Sequence, residues 1–484
     1  MNGLAGTAPG WAGDVADPAT VPDDHWTGVP AFGLLDPADR ALVPAGAVDA
    51  FPMTGQQVAM ATQLVMGNAR RRKGAAGVPP YHNVAMSRLS VPAVDLGLFV
   101  ACGEALAARH EMFRSALDLD TYSVPMQIVF AEPPEPLVTV HDLRRLDEPG
   151  RTAELDRFAA AENARTLSLR DAPLTRFTVH VLTDHRITLT ITEPHAIADG
   201  WSTHLNFIEY FDTYVAALGN GGPVVPPPPS FRLRFHSAQQ RCVVRSGSDL
   251  DWWREQLAPW TTDATGSLRH GTTVSAAWHT SLTISGSECE ALLDLARASG
   301  VGLKTVLLTV HLTALHRIPG AAGTLTGMTV NTRLAVEDGV DARGMFLNVV
   351  PLPRRAEPVD AVAAPADVHR EVMQVTARGR VPLAHLVREF GRGVAPQSLF
   401  VFNSFHSVAG AAERMGIDTF EQVSDWSRTD FPFEASFNRS EEATNRIDLQ
   451  LYSDGRFADE PTAVAAYRAA VRGIANRAVR VRHG

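Results

Sequence analysis

Lysine is almost absent from this chain: Lys73 and Lys304 are its only two, although Lys+Arg together number 44. Neither follows a glycine-rich loop, so a phosphate-cradling P-loop is excluded. Cysteine is scarce too. Cys102, Cys242 and Cys289 are odd in number and far apart, which leaves no metal spacing and no disulfide framework. They read as reduced thiols of a cytoplasmic protein. No apolar run approaches the ~20 residues of a membrane span, which argues against a membrane partner. The start "MNGLAGTAPGWAGDV" has neither the basic nor the apolar part of a secretory signal. A net charge of -9, with arginines scattered rather than massed, argues against nucleic acid as a partner. No serine stands in a Gly-x-Ser-x-Gly elbow. In "RHEMFR" the place of a zinc protease's second histidine is taken by Arg114.

What is present is an ordinary globular composition, 45% hydrophobic and 20% charged over 484 residues, enough for two large lobes. Residues 1–45 are rich in Ala, Gly, Pro and Asp without a sustained period, and are expected to be a partly ordered leader. "YHNVAMSRLSV" alternates like a strand. Leu96, Phe99, Val100, Leu106 and Phe113 then recur at helical spacing behind Asp95, a fitting N-cap. Phe177–Leu182 and Ile187–Ile191 predict a hairpin, and Leu205, Ile208, Phe211, Val215 and Leu218 predict a helix ending at Gly219. The four prolines in "GNGGPVVPPPPS", residues 219–230, fit only an extended connector.

Beyond the connector, "DLDWWREQLA", "SECEALLDLARASG", "GVGLKTVLLTVHLTALHRIPG" and "AYRAAVRGIANRAV" predict helices, and "AAGTLTGMTVNTRL" and "MFLNVVPLP" predict strands. Strands and helices mix on both sides of the connector. The expectation is an α/β (α+β) chain of two lobes, residues 46–222 and 223–484, each a sheet with flanking helices, with a cleft or tunnel between them.

The chemistry concentrates in "LTITEPHAIADGWS". His195 ends an apolar strand and can project into a cleft as a base. Asp199, across a turn for which Gly200 is suited, can point the other way and pair with an arginine, which locks the loop without doing chemistry. The candidates for that arginine are Arg109, which is preferred, and Arg114. The Gly200 N–H, at a helix start, could also help to hold an oxyanion. Trp201 is expected to pack. Asn348 is expected either to hydrogen-bond across the lobes or to serve its own strand. His406 is expected to be packed or exposed, Tyr81 to lie in the core and His82 at its rim.

These segments together resemble the condensation domains of nonribosomal peptide synthetases, within the chloramphenicol-acetyltransferase-like superfamily. The resemblance runs over about residues 48–480. It is carried by "DAFPMTGQQVAM" with Phe51, Pro52 and Gln57, "RHEMFRSAL", "EPHAIADGWS", "DWWREQLA", "MFLNVVPL" with Phe346 and Asn348, "SLFVFNSFHS" and "TDFPFEASF". One position departs: the family usually has two adjacent histidines, and here the first is Pro194. The second, which carries the chemistry in the family, is His195. Proline fixes φ and removes a donor, so the loop entry is expected to be rebuilt slightly.

The resemblance implies a free-standing enzyme that forms an amide or ester bond in antibiotic or other secondary-metabolite biosynthesis. A peptidyl or acyl carrier protein would present the donor as a thioester on its phosphopantetheine arm, and an amine or alcohol acceptor, carrier-bound or a free small molecule, would attack it. No bound cofactor and no metal are implied. The alternatives are a coenzyme A-dependent acyltransferase of the same superfamily and a condensation-like domain that only recruits a partner. The second would be expected to lose the histidine or aspartate, and both are kept.

Overall fold

In the computed structural model, the residues described are 21–74, 78–91, 94–261, 275–321, 323–354, 364–404, 408–417, 419–426, 428–439 and 445–483. They fall into two compact units. The first consists of Met1–Ser246, Arg333–Phe346 and His406–Asp430, and the second of Gly247–Thr332, Leu347–Phe405 and Phe431–Gly484. The division thus follows Ser246 rather than residue 222, and the chain returns twice to the first unit. The reason lies in the helix Leu233–Ser246, which is bonded into the first unit on several sides. The Ser237 hydroxyl donates to the Pro52 carbonyl at 2.5 Å, the Gly55 N–H donates to Gln240 Oε1 at 2.6 Å, and Arg234 pairs with Asp49 at 3.0 Å. Proline-rich sequence marks an irregular path, not the edge of a packed body. The later part of the expected leader is also well packed: Trp26 is fully buried in the short 3₁₀ turn Asp23–Gly28.

The first unit is built on a five-stranded sheet in the order Thr419–Trp426, His82–Ser90, Arg186–Pro194, Arg176–Thr183, Val138–Asp142. Its neighbours are antiparallel except the last pair, which is parallel. Every residue of Arg186–Pro194 after Arg186 is buried. That burial suits its Ile-Thr-Leu-Thr-Ile run, because β-branched side chains pack well on a pleated surface. The helices Leu96–Arg109 and Gly200–Asn220 pack closely together. The Phe99 and Tyr210 rings stack at 4.5 Å, and the Tyr210 hydroxyl donates to the Phe99 carbonyl at 2.9 Å. Gly103 permits this approach, since a Cβ there would stand 2.3 Å from Val138 Cγ2 and 2.9 Å from the Tyr210 oxygen. A smaller antiparallel sheet, Ala47–Pro52, Met126–Phe130 and Ser115–Asp118, completes the strands of this unit.

The second unit holds a six-stranded mixed sheet in the order Leu347–Leu352, Thr326–Asn331, Ser398–Asn403, Phe433–Asn438, Arg446–Ser453, Trp278–Ser285. The expected buried helix spans Leu303–Arg317. His311 in its middle is fully buried and bonded to the Tyr467 hydroxyl at 2.6 Å, and burial pushes it down to about 3, as a neutral core histidine. Among the described residues no single helix is long and apolar enough to cross a membrane.

Candidate functional site

The strand Arg186–Pro194 delivers "EPHAIADG" to the edge of its sheet, and the backbone there forms a tight turn. The Ile197 N–H donates to the Pro194 carbonyl at 3.0 Å, and the His195 N–H donates to the Tyr81 carbonyl at 2.8 Å. Pro194 lies opposite His82. Because residues 195 and 81 form the hydrogen-bonded pair, residues 194 and 82 form a non-bonded one, and the missing proline N–H faces the other neighbouring strand. Pairing with that strand stops at Thr192. Proline therefore leaves no ladder bond unmade, and the loop entry keeps regular strand geometry to its last residue, without the rebuilding that was expected.

His195 is half-buried, and its Nδ1 lies 2.7 Å from the Ala198 carbonyl. A carbonyl only accepts, so Nδ1 must carry the proton, and in the neutral ring the lone pair sits on Nε2. The Tyr81 ring meets the imidazole edge-on, with centroids 6.2 Å apart. The turn is steadied from below by Gln57, whose Nε2 donates to the Ala196 carbonyl at 3.2 Å and to Gln127 Oε1 at 2.9 Å. Gln57 is itself fixed in a capping box with Thr54 at the start of the helix Gly55–Arg72.

Asp199 is completely buried and pairs with an arginine, as expected, but its partner is neither Arg109 nor Arg114. Arg333 grips it with two bonds, Nη1 to Oδ2 at 2.8 Å and Nη2 to Oδ1 at 2.9 Å. The carboxylate also caps the helix Gly200–Asn220 by accepting from the Ser202 N–H at 2.8 Å, and it accepts from the Phe346 N–H at 3.1 Å. Burial opposes its ionisation, yet the charge and hydrogen bonds of Arg333 outweigh burial and hold the carboxyl below its usual range. Gly344 and Ser202 exchange bonds, Gly344 N–H to Oγ at 3.0 Å and Oγ to the Gly344 carbonyl at 2.9 Å. The motif loop is thereby strapped to the returning segment Arg333–Phe346.

Arg109 and Arg114 support other places. Arg109 and His110 both bind Glu209, on the helix Gly200–Asn220, with Arg343 completing the cluster at 2.8 Å. Arg114 donates to the Phe130 carbonyl. They stiffen the scaffold behind the loop without touching the motif aspartate. Gly200 opens its helix in helical conformation, so the turn does not use the left-handed freedom expected of it. Trp201 does more than pack, since its Nε1 donates to the Val340 carbonyl at 3.2 Å. Asn348 is buried in the second unit and serves its own strand. Its side chain donates to the Gly379 and Val381 carbonyls at 2.8 and 2.7 Å, which fixes a turn of that unit. His82, expected at the rim, is fully buried, and burial pushes it down to about 4. His406 lies outside the described residues.

Three features were missed in the sequence: Arg333, Glu193, and the pairing of Tyr81 with Asp430. Glu193 is 2% exposed, and its oxygens accept from the Thr175 hydroxyl at 2.9 Å and the Thr203 hydroxyl at 3.3 Å. No cation neutralises it among the described residues. Burial pushes it up to about 7, with Asp199 adding to the shift. A carboxyl raised in the folded state binds its proton more tightly there than in the unfolded chain. Stability is therefore full below about pH 4.5 and declines as pH rises through 7, by about 3 kcal/mol in all. Glu193→Gln keeps an acceptor for Thr175 and should remove the decline. The difference in denaturation midpoint between wild type and variant should shift in favour of the wild type from pH 8 to pH 5, since the buried histidines His82 and His311 titrate alike in both.

A family profile described as "Condensation domain" matches residues 81–461. The chain belongs to the condensation-domain family. Condensation domains are peptide-bond-forming transferases of nonribosomal peptide synthesis and work on substrates bound to carrier proteins. The chain is 30% identical over 472 residues to the AMB antimetabolite synthetase AmbE of Pseudomonas aeruginosa, a match that covers 94% of this condensation domain and 21% of AmbE. It thus spans about a fifth of that relative's length. Among solved structures, the first condensation domain of the calcium-dependent antibiotic synthetase, in complex with a substrate analogue, superposes with a TM-score of 0.68 at 19% identity. That match covers 88% of this chain and 95% of the other. VibH, an NRPS condensation enzyme, gives 0.66 at 17% identity, over 86% and 95%. At these identities the structures show the mixed α/β, chloramphenicol-acetyltransferase-like fold.

Proposed function

We propose that this condensation domain joins an acyl or aminoacyl group, delivered as a thioester on the phosphopantetheine arm of a carrier protein, to an amine or hydroxyl acceptor. The observation that carries the proposal is the His195 ring, held by its Nδ1–H on the Ala198 carbonyl so that Nε2 is left as the acceptor. A thioester is already activated. Alignment of the two reactants supplies much of the rate, and in favourable intramolecular cases it is worth ~7–11 kcal/mol. The remaining task is a proton. As the acceptor nitrogen or oxygen attacks the thioester carbon, its proton must leave, and the Nε2 lone pair is placed to take it or to hydrogen-bond the tetrahedral intermediate. The carbon–sulfur bond then breaks, and the thiol stays on the carrier. Asp199 keeps the turn in shape, and the N–H of Gly200, at a helix start, is a candidate donor to the developing oxyanion.

The test is transfer from carrier proteins loaded with candidate acyl groups, with amine and alcohol pools as acceptors, followed by intact mass. Coenzyme A thioesters of the same acyl groups form the second arm. Product from loaded carriers, with little from coenzyme A thioesters, supports the proposal. Equal or faster transfer from coenzyme A would favour the small-molecule acyltransferase, and no transfer from either, with carrier binding retained, would favour recruitment.

A further inference from the structure

Tyr81 is held on every side, and what holds it is the same structure that presents His195. Its backbone has φ +64°, in the left-handed region that a bulky side chain rarely enters. Two backbone bonds keep it there. The Tyr81 N–H donates to the Arg428 carbonyl at 2.8 Å, and the Tyr81 carbonyl accepts the His195 N–H at 2.8 Å. The phenol hydroxyl donates to Asp430 Oδ1, and the ring edge lies against the imidazole. Tyr81 itself is 3% exposed. Strained backbone that several contacts over-determine is a feature of functional sites, because rigidity is what the strain secures.

We infer that Tyr81 is a positioning residue for His195, locked by Asp430, so that the segment ending at Asp430 sets the orientation of the imidazole. This rests on the reading of His195 given above and goes beyond it. The chain reaches residue 430 only after passing through the second unit and returning. The orientation of His195 therefore depends on that returning segment being seated. Arg428 holds the Tyr81 backbone and Asp430 its hydroxyl, so one short stretch fixes both ends of the same residue.

The test uses the full chain, carrier-loaded donor in single-turnover transfer, donor affinity, and carbethoxylation of His195 by diethyl pyrocarbonate followed by peptide mass spectrometry. Tyr81→Phe keeps the ring and loses the hydroxyl. It should lower the transfer rate by roughly 10-fold, the scale of one hydrogen bond to a charged group, while donor affinity changes little. His195 should be carbethoxylated faster, since a loosened ring exposes its nitrogens more often. Asp430→Ala should do the same, and Asp430→Asn, which can still accept the phenol proton, should recover most of the loss. The double variant Tyr81→Phe with Asp430→Ala should cost no more than either single change, because the two act through one bond. Tyr81→Gly, which suits the positive φ but removes a buried ring, should be slower still, with its fold checked by circular dichroism. If His195→Ala is inactive while the Tyr81 and Asp430 variants match wild type in rate and carbethoxylation, the inference is overturned and the reading of His195 stands. If His195→Ala transfers at the full rate, that reading falls and this inference falls with it.

Discussion

His195→Ala should fold normally and lose ~10²- to ~10⁴-fold in single-turnover transfer from a carrier-bound donor, the range typical of a positioned acid–base group. The ring is half-buried, and its Nδ1 is hydrogen-bonded to the Ala198 carbonyl. Removing it leaves the strap between Asp199 and Arg333 untouched, so the melting temperature should barely move. The loss should be steepest for α-amine acceptors, whose reference pKa of about 8 leaves many of them protonated near neutrality. Strong nucleophiles should lose less, because alignment still helps them. Pro194→His should change the rate little, since position 194 pairs with His82 as an ordinary strand residue and its N–H is not needed by that neighbour. Wild-type turnover from a folded His195→Ala protein would reduce the histidine to a structural element of the turn.

Which parts of this site were legible in the sequence follows from how far each signal reaches. His195, Asp199 and the helix behind them stand within one local pattern. An apolar strand, a tight turn and a helix each leave a mark at short range, so the helix Gly200–Asn220 lies within a residue or two of expectation, while its cap by Asp199 is a finding of the structure. The partner of Asp199 is another matter. Arg109 is the preferred candidate from the sequence, with Arg114 beside it, but a salt bridge is decided by where the backbone returns. Only the fold shows that "NTRL" comes back to the motif loop as Arg333. Tyr81 and Asp430 are farther apart still, and nothing in "PPYHN" announces a left-handed tyrosine. Glu193 was visible as a charged residue in an apolar strand, and that local conflict was the available sign of a buried carboxyl. The boundary was misplaced for a related reason. Four prolines are conspicuous in sequence, whereas the bonds from Ser237, Gln240 and Arg234 that join the next helix to the first unit are not.

The other large effect belongs to the strap. Asp199→Asn should cost ~3–5 kcal/mol, the scale for breaking one side of a buried ion pair. The Asp199 side chain is 0% and the Arg333 side chain 3% exposed, so water cannot take over the lost bonds. Asparagine can still cap the helix through the Ser202 N–H. It cannot offer Arg333 two charged oxygens, so the guanidinium loses this paired charge while keeping contacts such as the Ser202 Oγ and Ala342 carbonyl, at 2.9 and 3.2 Å, and the face of Phe346. The instability therefore includes the cost of a buried guanidinium that has lost this carboxylate. Removing both charges shows this directly. Asp199→Asn combined with Arg333→Met should be less destabilised than the sum of the two single variants, by an amount visible in denaturation midpoints. The pH dependence gives a second check with a definite sign. Asp199 has a folded-state pKa below its unfolded one, so its stabilisation is present above the ordinary carboxyl range and is lost as the medium is acidified through the lowered value. Glu193, on the preceding strand, has the opposite slope. Acidification should therefore act on the two in opposite directions: Glu193 takes up its proton and stabilises, while Asp199, and the buried neutral histidines His82 and His311, lose stabilisation as they take up theirs. In Asp199→Asn the acid limb should shrink, and the Glu193 contribution should weaken with it, because the Asp199 charge adds to its shift. An Asp199→Asn protein with wild-type denaturation midpoints and selectively lost transfer would instead place the aspartate in the chemistry, with Arg333 serving to tune it.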